Sequence, residues 1–546
     1  VLAGSVDVLL RSSRSLIREE RAFARSFLLG EAFRSDAGDT ISGRYSFKGI
    51  EMASPSPAQI KAATQQAINL RLSGQFSQSF QLLQKVIAAA PRFADGYYHL
   101  ALAANELHLP RTAVKALKTA DRLKPKSPDI LKALCTAQMA CYQHEDALKT
   151  LKKLRVIFPK KRSIKLEESL IRMQLGEFDA AQKLIADLID SNPLYGENYR
   201  SYVQPRRIKE GDPIIDKMLD IYQREDLKDD SRCHIAYALG KAYGDLRQDD
   251  KVFKYLNEAN RLQRAAAVPN MDGAALEVDR LIAAQKDVVL PPIAESDARP
   301  TPIFVCGMPR SGTTLVERIL GRHSEVANAE ELAIGSKLAR AALGGTTKEP
   351  GNLQDVKPST LETVARRLRA ALGETADGDA KYVTDKSIMT FLTLPALAMA
   401  MPDARFVVVR RDPRDVALSI YRNHFAEGTH KYAFKLEDIA KQVVLFQKCV
   451  EAFRDQMGDR MIEVQYEDLV EDPDTQIPRL IEGVKLPWQE ACLHPEEGEG
   501  AVRTLSLGQV RVPVYKSAKG GWRRFADEMQ PFIETYEALS NVPLRD

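Results

Sequence analysis

The sequence predicts a multidomain chain: an all-α helical solenoid followed by an α/β domain with a mainly parallel sheet. Two patterns carry this reading. Prolines recur 34 residues apart at Pro91, Pro125, Pro159 and Pro193, with apolar residues at helical spacing between them. At Thr301 the pattern changes to a short β-prone run, a glycine loop and a helical stretch, in that order. With 44% hydrophobic and 28% charged residues, the composition is that of ordinary globular protein.

Each repeat carries further marks. Twelve residues before three of the prolines stand Ala113, Ala147 and Ala181, with Ser79 in the first unit. Gly74 and Gly176 fall seventeen residues before Pro91 and Pro193. A small residue lets paired helices approach, and a proline cannot continue a helix. A 34-residue unit of this kind resembles the tetratricopeptide repeat (TPR). Four units span about 60–195. A fifth, weaker one lies near 233–266, with Leu239, Gly240 and Tyr243 in its first helix and Ala259 at the crossing point. The expected division is a solenoid over 60–266, a helix and linker over 267–300, and the α/β domain over 301–546. Residues 1–59 are expected to be a disordered extension or to lie upstream of the true start, since the first methionine is Met52. Solenoids of this type present a concave surface to a protein or peptide. That makes the repeats a candidate docking platform for a partner or acceptor; packing against the chain's own second domain, or self-association, is the alternative.

Composition narrows the function. A net charge of +4 asks for no nucleic-acid partner, and no apolar run reaches the length of a membrane span. The six cysteines form no C-x-x-C pair, which fits free thiols in a reducing compartment, and with no signal or anchor segment in the sequence the cytoplasm is expected. The histidines show no metal-ligand spacing, so no metal is expected.

The chemistry is expected in the second half. Pro302–Cys306 leads into Gly307-Met308-Pro309-Arg310-Ser311-Gly312-Thr313-Thr314, and a helical pattern follows. Strand, glycine loop and helix make a P-loop-like phosphate cradle, in which backbone N–H groups and the helix dipole face an anion. Thr313 stands where a Walker lysine would, and the cation is Arg310 inside the loop. This string resembles the 5′-phosphosulfate loop of sulfotransferases that use 3′-phosphoadenosine-5′-phosphosulfate (PAPS), above all the tyrosylprotein branch and bacterial enzymes that join TPR units to a sulfotransferase domain. The resemblance implies that Arg310, Ser311, Gly312, Thr313 and Thr314 hold the 5′-phosphate and sulfate of PAPS, with 3′-phosphoadenosine-5′-phosphate (PAP) as product.

A second motif runs from Arg405 to Arg410 as an apolar strand, then through Arg411-Asp412-Pro413 to Ser419. Asp412 is placed to cap a helix that starts at Pro413. Arg411 and Ser419 resemble the family's 3′-phosphate pair. By the same resemblance Glu331 is the catalytic base, with Glu330 its rival, and Lys386 assists the leaving phosphate. Tyr466 resembles the adenine-stacking tyrosine. Ser506 and Gln509–Pro513 resemble the cofactor-covering segment, and Trp522 a tryptophan beside a 3′-phosphate lysine. Here Gly521 precedes that tryptophan, which leaves Lys519, Arg523 and Arg524 as alternatives. The tyrosylprotein branch has an arginine two residues after the base; here it is Ala333. The implied reaction moves a sulfuryl group from PAPS to a hydroxyl acceptor, be it peptide, glycan or small molecule. The alternatives are a P-loop kinase or nucleotidase, and a non-catalytic nucleotide-binding TPR scaffold.

Overall fold

The computed structural model describes residues 55–544, apart from 267, 295, 346–348, 376–379, 427 and 499–518. These divide into two compact units. One comprises the described residues up to Pro159 with those of Gly344–Glu349; the other comprises Lys160–Leu343 and those from Pro350 onward.

The first unit is helical. Pairs such as Pro57–Leu72 with Phe76–Ala89, and Ala94–Glu106 with Pro110–Leu123, follow the 34-residue period. Each second helix of a repeat ends just before its proline. The crossing residues Ser79, Ala113 and Ala147 are fully buried, and the Ser79 hydroxyl donates to Ala67 O at 2.7 Å. The turn between paired helices needs left-handed backbone at one position per repeat. Gly74 and Gly176 supply it with φ near +80°, and His108 and Tyr142 take the same place with φ near +60°. The glycine signal was therefore only half of the pattern.

In the second unit the helices continue through Arg162–Gln174 and Phe178–Ser191 to the hairpin Asp229–Asp245 and Asp249–Ala266. Among the described residues the α/β part holds five parallel strands: β1 (Thr301–Gly307), β2 (Val326–Asn328), β3 (Tyr382–Asp385), β4 (Arg405–Arg410) and β5 (Met461–Gln465), in the order β2-β3-β1-β4-β5. Buried apolar runs in β1 and β4 place these strands centrally, as a sheet covered on both faces requires. A core of Ile303, Val305, Val407 and Val409 packs under Val316 and Ile319 of the helix Thr313–Leu320.

The hairpin 229–266 packs directly on the α/β part, which is why the division into units falls at Pro159 and not near 300. Asn260 Nδ2 donates to Tyr421 O at 2.9 Å, and Tyr421 OH donates to Asn257 at 2.9 Å. Phe253 stacks on Tyr421, and Arg264 pairs with Asp438. Among the described residues no helix is long and apolar enough to cross a membrane.

The packing at the crossing points gives a first prediction. Ala147 is 0% exposed, so Ala147→Leu must push the paired helices apart. Overpacking of this kind costs about 1–3 kcal/mol, to be read from urea denaturation. An exposed neighbour, Lys152→Leu, is expected to change little.

Candidate active site

The loop after β1 turns sharply. Arg310 has φ +69° and Gly312 φ +104°, and the helix Thr313–Leu320 starts immediately afterwards. A side chain at 312 would not fit, since a Cβ there would lie 2.4 Å from the Tyr466 ring. The turn brings Arg310 Nε to donate to Ser419 Oγ at 3.1 Å, and Arg411 Nη1 donates to Arg310 O at 3.0 Å. Ser419 stands on the helix Pro413–Tyr421, capped by Asp412, whose Oδ1 accepts from Arg414 N at 2.8 Å. Three of the sequence-predicted anion ligands, from two loops over 100 residues apart in sequence, therefore meet at the C-terminal edge of neighbouring strands, where open parallel sheets bind ligands. Ser311 and Thr313 are buried in the loop, and Ser311 Oγ has no hydrogen-bond partner among the described residues. Thr314 follows in the first turn of the helix.

Lys386 follows β3, the neighbour of β1. It is 1% exposed, and its ammonium donates to Glu331 Oε1 at 2.8 Å. Glu331 itself is half exposed. Glu330 and Glu331 lie in a loop ahead of the helix Ile334–Ala342, with left-handed backbone at Glu330 and Ala333. Neither glutamate belongs to that helix.

Tyr466 is buried, with its ring against Gly312 and the Arg411 guanidinium 4.3 Å from its centroid. Of the three basic residues near Trp522, Lys519 pairs with Glu471 at 2.6 Å and Arg524 with Asp249. Arg523 and Arg414 lie over the two-ring system of Trp522, at 5.1 and 4.1 Å. Ser506 and Gln509–Pro513 lie outside the described residues. No group of three or more His, Cys, Asp or Glu among the described residues is placed to hold a metal ion.

Sequence reasoning missed several neighbours. Glu317 is buried on the helix after the loop. Asp385 is buried at the end of β3, where it accepts from the Ser387 hydroxyl. Asp415 accepts from Gly520 N at 2.7 Å and Trp522 N at 3.0 Å, fixing that segment beside Arg411. His430 is half-buried close to Glu331; burial pushes its imidazole down and the Glu331 charge opposes that. One signal was available for Glu317: it is a carboxylate beside the apolar stripe Val316, Ile319 and Leu320.

Residues 302–490 match the Sulfotransferase family. The chain carries a sulfotransferase-family domain behind a tetratricopeptide-like repeat array. An uncharacterized protein of Aquifex aeolicus (strain VF5) is 28% identical over 405 residues, covering 71% of this chain and 52% of its own. Protein-tyrosine sulfotransferase 1 of Danio rerio is 28% identical over 220 residues, covering 38% of this chain and 59% of its own. The chain thus spans little over half the length of these relatives. Among solved structures, the sulfotransferase domain of the Synechococcus PCC 7002 olefin synthase covers 46% of this chain and 100% of its own, with 18% identity and a TM-score of 0.32.

The buried carboxyl at the end of β3 gives a second prediction. Burial, helped by the Glu317 charge, pushes Asp385 up from 3.8 to about 7, against the Ser387 hydrogen bond. A carboxyl raised on folding binds its proton more tightly in the native state. Its contribution to stability is present below the unfolded value and is lost as pH rises from about 4 to about 7. Asp385→Asn is expected to flatten the fall in Tm between pH 5 and pH 8 relative to the parent.

Proposed function

We propose that this chain transfers a sulfuryl group from PAPS to a hydroxyl acceptor by in-line displacement. The observation that carries the reading is the convergence of Arg310, Arg411 and Ser419 on one phosphate-cradling loop, with the Lys386–Glu331 pair at the end of the adjacent strand. The buried Ser311 hydroxyl, without a hydrogen-bond partner among the described residues, and the bare backbone at Gly312 fit a phosphate group there. PAPS, when bound, supplies the sulfuryl group and a stable phosphate as its leaving group.

The chain's own residues divide the work. Arg310, Ser311, Thr313 and Thr314 hold the 5′ end, and Gly312 lets the backbone approach it. Arg411 and Ser419 hold the 3′-phosphate. Glu331, half exposed, takes the proton from the acceptor oxygen as that oxygen bonds to sulfur. Lys386 donates to the phosphate oxygen that keeps the electron pair of the breaking S–O bond. A preorganised cation at such a position is commonly worth about 3 kcal/mol. The acceptor class stays at hydroxyl, with a peptide or protein among the candidates, because Ala333 replaces the acceptor-side arginine of the tyrosylprotein branch. The repeats are read as a docking platform for a protein partner or acceptor. Six buried, unbridged cysteines support a reducing compartment, the cytoplasm.

Calorimetric titration with PAP, without metal, tests the nucleotide site. Binding is expected, and it should be lost in Arg310→Ala and in Gly312→Ala. Binding of ATP with Mg²⁺ in place of PAP would turn the reading toward a kinase or nucleotidase.

Turnover tests the base. PAP release is to be followed with a tyrosine peptide, a glycan and a phenol in turn. Glu331→Gln is expected to lower the fastest of these rates by about 10²–10⁴ while leaving PAP affinity within a few-fold. PAP binding with no release on any acceptor would leave a nucleotide-binding scaffold.

A further inference from the structure

Behind the Lys386–Glu331 pair lies a carboxylate that the reaction above leaves without a role. Glu317 is 2% exposed. Its Oε1 accepts from Thr384 Oγ1 at 2.9 Å and from Glu330 N at 3.1 Å. A carboxylate cut off from water persists only where hydrogen bonds and a cation compensate it. The cation facing it is Lys386, itself buried.

Lys386 therefore sits between two carboxylates of different character. Glu331 is half exposed and open to an acceptor; Glu317 is sealed in the helix–sheet packing. Glu330 adds a third negative charge, and Asp385 neighbours the lysine on its own strand. His430 faces Glu331. Burial pushes the lysine down, but Glu331 first and Glu317 next outweigh it and hold the ammonium above its ordinary range.

During transfer Glu331 cannot remain a full counterion, because it takes up the acceptor proton. Glu317 has no route to the acceptor; burial pushes its carboxyl up, and the Lys386 charge with the hydrogen bonds from Thr384 and Glu330 N opposes that in favour of the carboxylate. Resting on the sulfotransferase reading above, we propose that Glu317 is a positioning residue: the fixed counterion that keeps Lys386 charged, and the anchor that sets the base loop through the Glu330 N–H. It does not touch the reacting atoms.

The test is PAP affinity as a function of pH, by calorimetry on the full chain. Glu317→Gln keeps the shape and the acceptor oxygen but removes the charge, which should lower the lysine's pKa. As pH rises above 7 the variant is expected to lose PAP affinity at lower pH than the parent, with similar binding at pH 7. A purely structural Glu317 would weaken binding equally at all pH values, and parallel profiles would overturn the proposal. Glu317→Asp keeps the charge and should follow the parent's pH profile. If the glutamine variant does not fold, the aspartate variant decides: a pH-independent loss of affinity would overturn the counterion role. A parent that binds no PAP at any pH would instead overturn the sulfotransferase reading on which this rests.

Discussion

Between Met308 and Gly312 the backbone passes twice through the left-handed region, once at an arginine. For a non-glycine residue that conformation costs of order 1 kcal/mol or more, so it persists only where its surroundings enforce it. Here the enforcement is specific. Arg411 holds the Arg310 carbonyl, Ser419 holds its Nε, and Tyr466 closes over Gly312. The same contacts that maintain the turn aim Arg310 toward the helix Pro413–Tyr421. The β1–β4 register, with Gly307 opposite Val409, ends both strands at one level and makes the meeting possible. The loop and the capped helix are thus one device assembled from two distant pieces of sequence.

That device also touches the last helical hairpin. Tyr421, which closes the Ser419 helix, is bound through its carbonyl by Asn260 and through its hydroxyl to Asn257. Phe253 stacks on Tyr421 and lies against Phe525, next in line to Arg524 and its partner Asp249. A hairpin that reads in the sequence as the end of a solenoid serves as a wall of the α/β part. Losing it would expose Tyr421 and leave Phe525 and Arg524 without their partners Phe253 and Asp249.

The legible parts of the sequence were those with local periodicity or a compact motif. The 34-residue spacing, the Asp412–Pro413 helix start and the glycine loop each depend on residues close in the chain, so their physics is visible there. The turn positions His108 and Tyr142 were hidden because nothing in their chemistry announces a positive φ. Glu317 was hidden for another reason. Its meaning lies in the 330 loop, 13 residues on, and in Thr384 and Lys386, which the parallel crossover brings back some 70 residues later. The place where the compact units divide was likewise set by tertiary contacts of the 229–266 hairpin, which no repeat pattern encodes.

The end of β3 shows how a parallel sheet positions a half-exposed base. Side chains alternate along a strand and just beyond it. Thr384 reaches Glu317 and Lys386 reaches Glu331. Between and beyond them, Asp385 and Ser387 bond to each other, and the Ser387 Oγ accepts from Ala333 N at 2.6 Å. Meanwhile Lys386 N donates to Glu330 O at 2.8 Å. The loop from 330 to 333 is therefore gripped at both ends by two consecutive residues, Lys386 and Ser387, while Glu331 between the grips remains open to solvent. A base must move a proton without moving its backbone, and this arrangement confines the freedom to the side chain.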